Sequence, residues 1–212
     1  LSLIGTQAEI QISASPDQLK NCKEILHHKC SEAKFDGCLT FVIGENGMDL
    51  AMKYGLPANQ IIKTGNWLGP LLVAAAENGV KKLLLFGYHG KLIKLSGGVF
   101  HTHHHLADGR IEILTSIAFR EGISFDLIEL ISKSTSVENA LLTLEVSNPE
   151  AVSLIWSRMA KEIEIKSKSY VNRYLSSSME IGSVLFDRKR QMRWAGLEGL
   201  KQINSLGLIL KR

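Results

Sequence analysis

The chain has 212 residues, of which 45% are hydrophobic and 22% are charged. This composition is typical of a folded globular protein and excludes an intrinsically disordered one. The formal net charge of +4 is unevenly distributed: residues 1–155 contain 13 Lys and Arg against 16 Asp and Glu, whereas residues 156–212 contain 12 against 5. The basic C-terminal part is compatible with an anionic partner and equally with a solvated helix surface.

Two features of the sequence predict a cytoplasmic protein that has no membrane contact. No apolar run approaches the ~20 residues of a membrane-spanning helix, and Glu9, Asp17 and Lys20 interrupt any signal-peptide core. The three cysteines are odd in number and lack a CxxC spacing, which is typical of reduced thiols rather than of disulfides or a zinc knuckle.

The first predicted element is a helix. Ser15 is suited to the N-cap, Pro16 to the first helical position, and Gln18 to the third position of a capping box. Apolar residues then follow at helical spacing.

Three short apolar runs are predicted strands, and a helical stretch follows each of them. They are CLTFVI (38–43), QIIK (60–63) and KKLLLFG (81–87). Strands that alternate with helices pair in parallel through right-handed crossovers. We therefore expect an α/β fold: a layered, mostly parallel sheet with flanking helices.

Glycine-bearing turns are expected at the ends of all three strands. In open parallel sheets ligands bind beyond the carboxyl ends of the strands, where glycine permits close backbone approach. Each glycine is also compatible with an ordinary turn, and neither GxGxxG nor GxxxxGK[ST] is present. The candidate ligand-binding glycines are Gly44, Gly47, Gly65, Gly87 and Gly90.

The second half of the chain is mainly helical in pattern. A helix is predicted over 108–121, further helices over 124–175, and a terminal hairpin within 179–196. We expect an α/β domain with a glycine-turn crevice over 1–147, and a basic helical segment with the hairpin over 148–212, packed on the same domain.

Four of the seven histidines lie at positions 101, 103, 104 and 105. His101, His103 and His105 would share one side of an extended strand and could hold a metal in a hydrolase. Alternatively, neutral imidazoles line a ligand crevice, or they are surface residues of a loop.

The order of residues in KKLLLFGYHGKLIKLSGGVFHTHHHLADGRIEIL resembles the signature block of the CbiD family of cobalamin-pathway methyltransferases. The family's pattern is a strand running into G-H-x-G-K-x-x-K, a glycine-rich turn, T-H, and A-D-x-R before a helix. This chain matches it at Gly87, Gly90, Lys91, Lys94, Gly97-Gly98, Thr102-His103, Ala107-Asp108 and Arg110, with His89 shifted by one position. TGNWLG and GENG resemble the family's other Asn-containing turns, and EIGSVLFDRKRQ resembles its C-terminal part. His101 and His104 depart from the family pattern. The family's N-terminal domain is not in this chain, which begins with Leu1 and is expected to be a fragment or a processed form.

The resemblance implies methyl transfer from S-adenosylmethionine to ring carbon C1 of the cobalt-corrinoid cobalt-precorrin-5B in anaerobic cobalamin biosynthesis. Cobalt would then be part of the substrate, no protein-bound metal is expected, and the partner is a small corrinoid rather than nucleic acid. The resemblance is also compatible with a homo-oligomer. A metal-dependent hydrolase and a non-catalytic corrinoid- or anion-binding module are the alternative functions.

The resemblance also implies roles for individual residues. His103, with Asp108 as an orienting partner, is the candidate for proton handling or substrate positioning. The candidate S-adenosylmethionine-binding residues are Gly44, Asn46, Gly47, Gly65, Asn66, Gly87, His89 and Gly90. The candidate residues for the carboxylate-rich substrate are Lys91, Lys94, Gly97, Gly98, Thr102 and Arg110.

Overall fold

The computed structural model describes residues 16–103 and 108–210. Helices and strands alternate through the first half of the chain, helices dominate the middle, and a hairpin and a helix follow. A short 3₁₀ turn, Ala58–Gln60, precedes the second strand. The elements in chain order are α1 (Pro16–Ser31), β1 (Cys38–Ile43), α2 (Glu45–Lys53), β2 (Ile61–Thr64), α3 (Leu68–Glu77), β3 (Lys82–Tyr88), α4 (His89–Ser96), α5 (Arg110–Arg120), α6 (Phe125–Ser132), α7 (Val137–Ser147), α8 (Pro149–Asn172), β4 (Glu180–Phe186), β5 (Met192–Ala195) and α9 (Leu197–Ser205).

The strands form one sheet in the order β2-β1-β3-β4-β5. β1 pairs in parallel with β2 and β3, and β3 pairs in parallel with β4. β5 returns antiparallel to β4. The predicted α/β class and the terminal hairpin are therefore confirmed, and the hairpin extends the same sheet to which β1–β3 belong.

The two faces of the sheet are covered by separate hydrophobic cores. Alternate strand residues point to opposite faces, so Phe41 and Leu85 pack in one core while Val42 and Phe86 pack in the other. The larger core also receives buried side chains from α1 and α3–α8, including the fully buried Trp156. The smaller core is closed by α2 and α9.

A buried carboxylate joins α8, β4 and α9. Glu164 is 8% exposed and accepts hydrogen bonds from the backbone N–H groups of Ser183 (3.0 Å), Glu198 (3.1 Å) and Gly199 (2.8 Å). Burial raises the pKa of Glu164, although the three N–H donors oppose this shift. Because Glu198 and Gly199 lie in the first turn of α9, the Glu164 side chain caps that helix.

Several predicted boundaries differ from the structure. The strand predicted over 81–87 includes Tyr88, and α4 begins at His89 without an intervening turn. The expected glycine turn after this strand is therefore wrong: Gly87 lies within β3 and Gly90 within α4. The helix predicted over 108–121 is α5, which begins two residues later. α9 was not predicted, and the proposed N-cap Ser15 lies outside the described residues.

Within residues 16–103 and 108–210, no helix is both long enough and apolar enough to span a membrane.

Candidate functional site

A cavity of about 420 Å³ lies at the carboxyl ends of β1, β3 and β4. Parallel strands end at the same edge of the sheet, so residues that are distant in sequence converge there. The cavity contains both acidic and basic side chains beside apolar ones. It is lined by Ile43, Gly44, Gly47, Tyr88, Lys91, Glu138, Phe186, Asp187, Arg188 and Arg190.

The start of α2 forms one wall of this cavity. Gly44 is the N-cap residue and has φ 92°, a left-handed conformation that favours glycine. A Cβ atom at Gly44 would lie 3.3 Å from Nζ of Lys91, so this lysine reaches across from α4 to the start of α2. Asn46 lies between Gly44 and Gly47 in the first turn of α2. The predicted residues Gly44, Gly47 and Lys91 are thus brought together.

The cavity lining also contains a carboxylate, Glu138, that is held by two hydrogen-bond donors. The hydroxyl group of Tyr88 donates to Oε2 of Glu138 at 2.7 Å, and Nε2 of His89 lies 2.9 Å from the same oxygen. Nδ1 of His89 accepts a hydrogen bond from Nε1 of Trp156 at 2.8 Å. Because an indole N–H can only donate, the proton of neutral His89 lies on Nε2 and is directed at Glu138.

Burial and hydrogen bonding set the protonation of this cluster. Burial lowers the pKa of His89, which is fully buried and therefore neutral. Burial also raises the pKa of Glu138, but hydrogen bonds from Tyr88 and His89 outweigh it and lower the pKa overall. Burial and the neighbouring Glu138 hold the pKa of Tyr88 well above its usual range. Glu138 is therefore an anion on the cavity wall.

The third side of the cavity is the turn of the β4–β5 hairpin. Arg188 and Arg190 are exposed at its tip, and Arg190 has φ 61° and pairs with Asp49 at 3.9 Å. Asp187 shapes the turn, because its carboxylate accepts a hydrogen bond from the backbone N–H of Gln191 at 3.0 Å. With Lys91, the two arginines make the cavity rim basic.

His89 and Lys94 occupy positions that differ from those predicted. His89 is completely buried behind Glu138, and both its ring nitrogens have protein partners. Lys94 is 1% exposed, and its ammonium donates to the carbonyl oxygens of Thr102 and His103 at 3.2 Å each. Neither side chain faces solvent. Lys94 holds the 102–103 backbone, and its role in substrate binding stays a prediction.

Burial lowers the pKa of Lys94; Asp108 opposes this shift, and Arg110 and Lys91 add to it. These charges therefore lie near one another. Asp108 accepts hydrogen bonds from Nε and Nη2 of Arg110 at 2.8 and 2.7 Å, and this pairing lowers the pKa of Asp108 well below its usual range. The described partner of Asp108 is thus Arg110, rather than His103 as expected.

Thr102 and Asn66 are joined side by side at the carboxyl end of β2. The hydroxyl of Thr102 donates to Oδ1 of Asn66 at 2.8 Å, and its backbone N–H donates to the Asn66 carbonyl at 3.0 Å. His103 is 7% exposed beside them. The structure brings these three predicted residues together away from the described lining of the cavity.

Most of the other predicted glycines are in close contact with protein side chains. A Cβ atom at Gly65 would overlap the side chain of Gln18, and one at Gly97 would overlap that of Ile113. A Cβ atom would lie 3.2 Å from Ile43 at Gly87 and 2.6 Å from Tyr88 at Gly90. Gly98 ends α4 with φ 83°. Packing and chain reversal account for these glycines, and none of them is among the described lining residues. Their role in ligand binding stays a prediction.

The histidine cluster is described only in part. His101 and His103 have ring centroids 6.3 Å apart, whereas His104 and His105 lie outside the described residues. In the parts of the chain that the structure describes, no group of three or more His, Cys, Asp or Glu side chains could hold a metal ion. The three-histidine hypothesis therefore gains no further ligand from residues 16–103 or 108–210.

Sequence reasoning did not identify Tyr88, Glu138, Asp187, Arg188 or Arg190 as site residues. Glu138 is an ordinary acidic residue in the first turn of a helix. The sequence places the run DRKR within the predicted terminal hairpin and indicates no site role for it. No local signal separates these residues from surface charges, because their common location depends on how β3, β4 and α7 are arranged.

Fold and cavity together define an α/β protein with a charged cavity at the place where open parallel sheets bind ligands. Residues 101–196 match the family model described as CbiD, C-terminal domain. This part of the chain is therefore similar to the C-terminal domain of CbiD proteins. No solved structure shows significant similarity to it.

Two similar curated proteins both carry the name cobalt-precorrin-5B C(1)-methyltransferase. The protein of Prochlorococcus marinus strain NATL1A is 98% identical over 212 residues, which are 100% of this chain and 56% of that relative. The protein of Prochlorococcus marinus strain MIT 9313 is 54% identical over 208 residues, covering 98% of this chain and 54% of the relative. The chain thus spans about half the length of the relatives that it matches.

Proposed function

We propose that this chain is part of an enzyme that transfers a methyl group from S-adenosylmethionine to C1 of cobalt-precorrin-5B in anaerobic cobalamin biosynthesis. The name of the relatives supports the reaction and the corrinoid substrate. The observation that carries our placement of the reaction is the basic-rimmed cavity at the carboxyl ends of β1, β3 and β4.

The cavity is suited to the methyl donor. Its volume of about 420 Å³ falls in the range of roughly 300–1,000 Å³ that is typical of small-molecule sites. A corrin ring with its acetate and propionate side chains is too large to lie wholly inside. We therefore propose that S-adenosylmethionine occupies the cavity, against Gly44 and Gly47, and that the corrinoid lies at the rim.

Methyl transfer from a sulfonium to carbon requires mainly alignment and exclusion of water. The corrinoid carbon supplies the electron pair of the new C–CH₃ bond as the S–CH₃ bond breaks, the electrons of the broken bond stay on sulfur, and the corrinoid releases one proton. The protein contributes by holding donor and acceptor in line. Arg188 and Arg190 are suited to the carboxylates of the substrate, since guanidinium groups bind them with paired hydrogen bonds.

Incubating the full-length protein with methyl-labelled S-adenosylmethionine and cobalt-precorrin-5B tests this proposal. We expect the label in the corrinoid and a mass gain of one CH₂ unit. Corrinoid binding without label transfer would favour the non-catalytic binding module. If the protein transfers no methyl group but shows a metal-dependent hydrolytic activity that a chelator abolishes without unfolding it, the hydrolase is favoured.

A further inference from the structure

We propose that the cavity recognises the zwitterionic amino-acid end of the methyl donor, with the ammonium group bound by Glu138 and the carboxylate by Lys91 at the start of α2. This inference rests on the proposed function. It assigns a ligand-binding role to Glu138, which the sequence pattern did not indicate.

The first argument is the orientation of the Glu138 carboxylate. Tyr88 and His89 both donate to Oε2, and no hydrogen bond to Oε1 comes from the described residues. The carboxylate lines the cavity, so Oε1 is the atom available to a ligand. An anionic oxygen binds N–H or O–H donors, and binds a cationic ammonium most strongly.

The second argument is that hydrogen bonds from buried protein groups fix the orientation of the Glu138 carboxylate. Trp156 is fully buried and donates to Nδ1 of His89, which directs the Nε2 proton of His89 at Glu138. Rotation of the carboxylate would break two hydrogen bonds and leave buried donors unsatisfied. A ligand group therefore meets an acceptor that is already in place, which lowers the entropic cost of binding.

The third argument is charge complementarity within one cavity. Lys91 lies against Gly44, the N-cap residue of α2. A helix N-terminus together with the ammonium group of Lys91 favours a carboxylate. Glu138, which lines the same cavity, favours a cation. An α-amino acid group presents these two charges side by side.

A role for Glu138 as general base agrees less well with the structure. A base works best when its pKa is near the working pH, whereas hydrogen bonds from Tyr88 and His89 lower the pKa of Glu138 overall. A carboxylate that stays ionised is suited to a permanent electrostatic contact.

Calorimetric titration of the full-length protein with three ligands tests the inference. S-adenosylmethionine carries both groups beside its sulfonium, its decarboxylated form lacks the carboxylate, and 5′-methylthioadenosine lacks both groups and the sulfonium charge. For Glu138→Gln we expect roughly 10-fold or greater loss of affinity for the first two ligands and less than about 2-fold change for the third. For Lys91→Met we expect a loss of affinity for S-adenosylmethionine but not for the other two ligands.

Two further variants keep the result interpretable. Glu129→Gln removes an exposed carboxylate that pairs with Lys133 on α6, and should bind all three ligands as the unaltered protein does. Tyr88→Phe keeps the Glu138 carboxylate but removes one of its donors, and should weaken S-adenosylmethionine binding without altering that of methylthioadenosine. If Glu138→Gln and Tyr88→Phe weaken all three ligands equally, or none, the inference is overturned while the proposed function stands. If the unaltered protein binds none of the three ligands, both are overturned.

Discussion

Trp156 of α8 donates a 2.8 Å hydrogen bond to Nδ1 of His89, the first residue of α4. This one contact determines which nitrogen of the histidine carries its proton, and so orients the Glu138 carboxylate at the cavity. A fully buried tryptophan in the larger core thereby influences a group that a ligand could contact.

Replacing Trp156 with Phe should destabilise the protein by more than the loss of packing alone. The change leaves Nδ1 of His89 without its donor, which costs roughly 1–3 kcal/mol in addition to the cavity created. Urea denaturation of the variant and the unaltered protein measures the difference in their free energies of unfolding. Trp194→Phe is the matched control, because Trp194 also stacks on His89, at a centroid distance of 5.8 Å. Equal losses for the two variants would contradict a special role for the Trp156 hydrogen bond.

The stability of the protein should fall as the pH decreases through the ordinary range of histidine titration. Burial holds the pKa of His89 below its ordinary value of 6.5, so below that pH the unfolded chain binds a proton that the folded chain does not. As the pH falls below 6.5, the free energy of unfolding decreases by up to about 1.4 kcal/mol per pH unit, until the pKa of His89 in the folded protein is reached.

Urea unfolding at a series of pH values measures this slope. In His89→Gln the contribution should disappear, whereas His28→Gln should keep it, since the side chain of His28 is 82% exposed. An unchanged slope in His89→Gln would show that another group causes the acid destabilisation.

Removing the Glu164 carboxylate should be among the more damaging single changes. Glu164→Ala leaves three backbone N–H groups near α9 and β4 without their acceptor, and the expected loss of unfolding free energy is about 3 kcal/mol or more. Glu162→Ala on the same helix, which removes only a 3.9 Å contact with Arg158, should cost less than about 1 kcal/mol. Chemical denaturation of the two variants measures both losses of unfolding free energy. A similarly small loss for both would show that water takes over the hydrogen bonds of the Glu164 carboxylate.

Substituting Gly44 should impair ligand binding, whereas substituting Gly55 should not. Both glycines have left-handed backbone conformations, with φ 92° and 80°, so an alanine at either costs roughly 1–2 kcal/mol of stability. A Cβ atom at Gly44 would contact Nζ of Lys91, but one at Gly55 would meet nothing within 4 Å. Calorimetry with S-adenosylmethionine should therefore show weaker binding for Gly44→Ala alone. Equal binding by the two variants would remove Gly44 from the site.

Local patterns in the sequence determined the elements and the class of fold. The runs CLTFVI and KKLLLFG are strands because both their faces are buried, and Gly55, Gly79 and Gly122 follow helices because glycine adopts the left-handed conformation at a chain reversal. The unusual spacing of residues across 87–110 was also sufficient to indicate the family. These features depend on neighbours in sequence, which the chain itself displays.

Only the tertiary structure decided which charged residues share a site. Lys91 and Lys94 are three residues apart in one helix, yet Lys91 lines the cavity while Lys94 is buried beneath the 102–103 backbone. Glu138 and Arg190 reach the same cavity only because α7 lies beside β3 and because β4 pairs in parallel with β3. Tyr88 and Glu138 are 50 positions apart in sequence, and Arg190 and Asp49 are 141 positions apart. The energies of such contacts come from burial and from partners that a linear pattern does not specify.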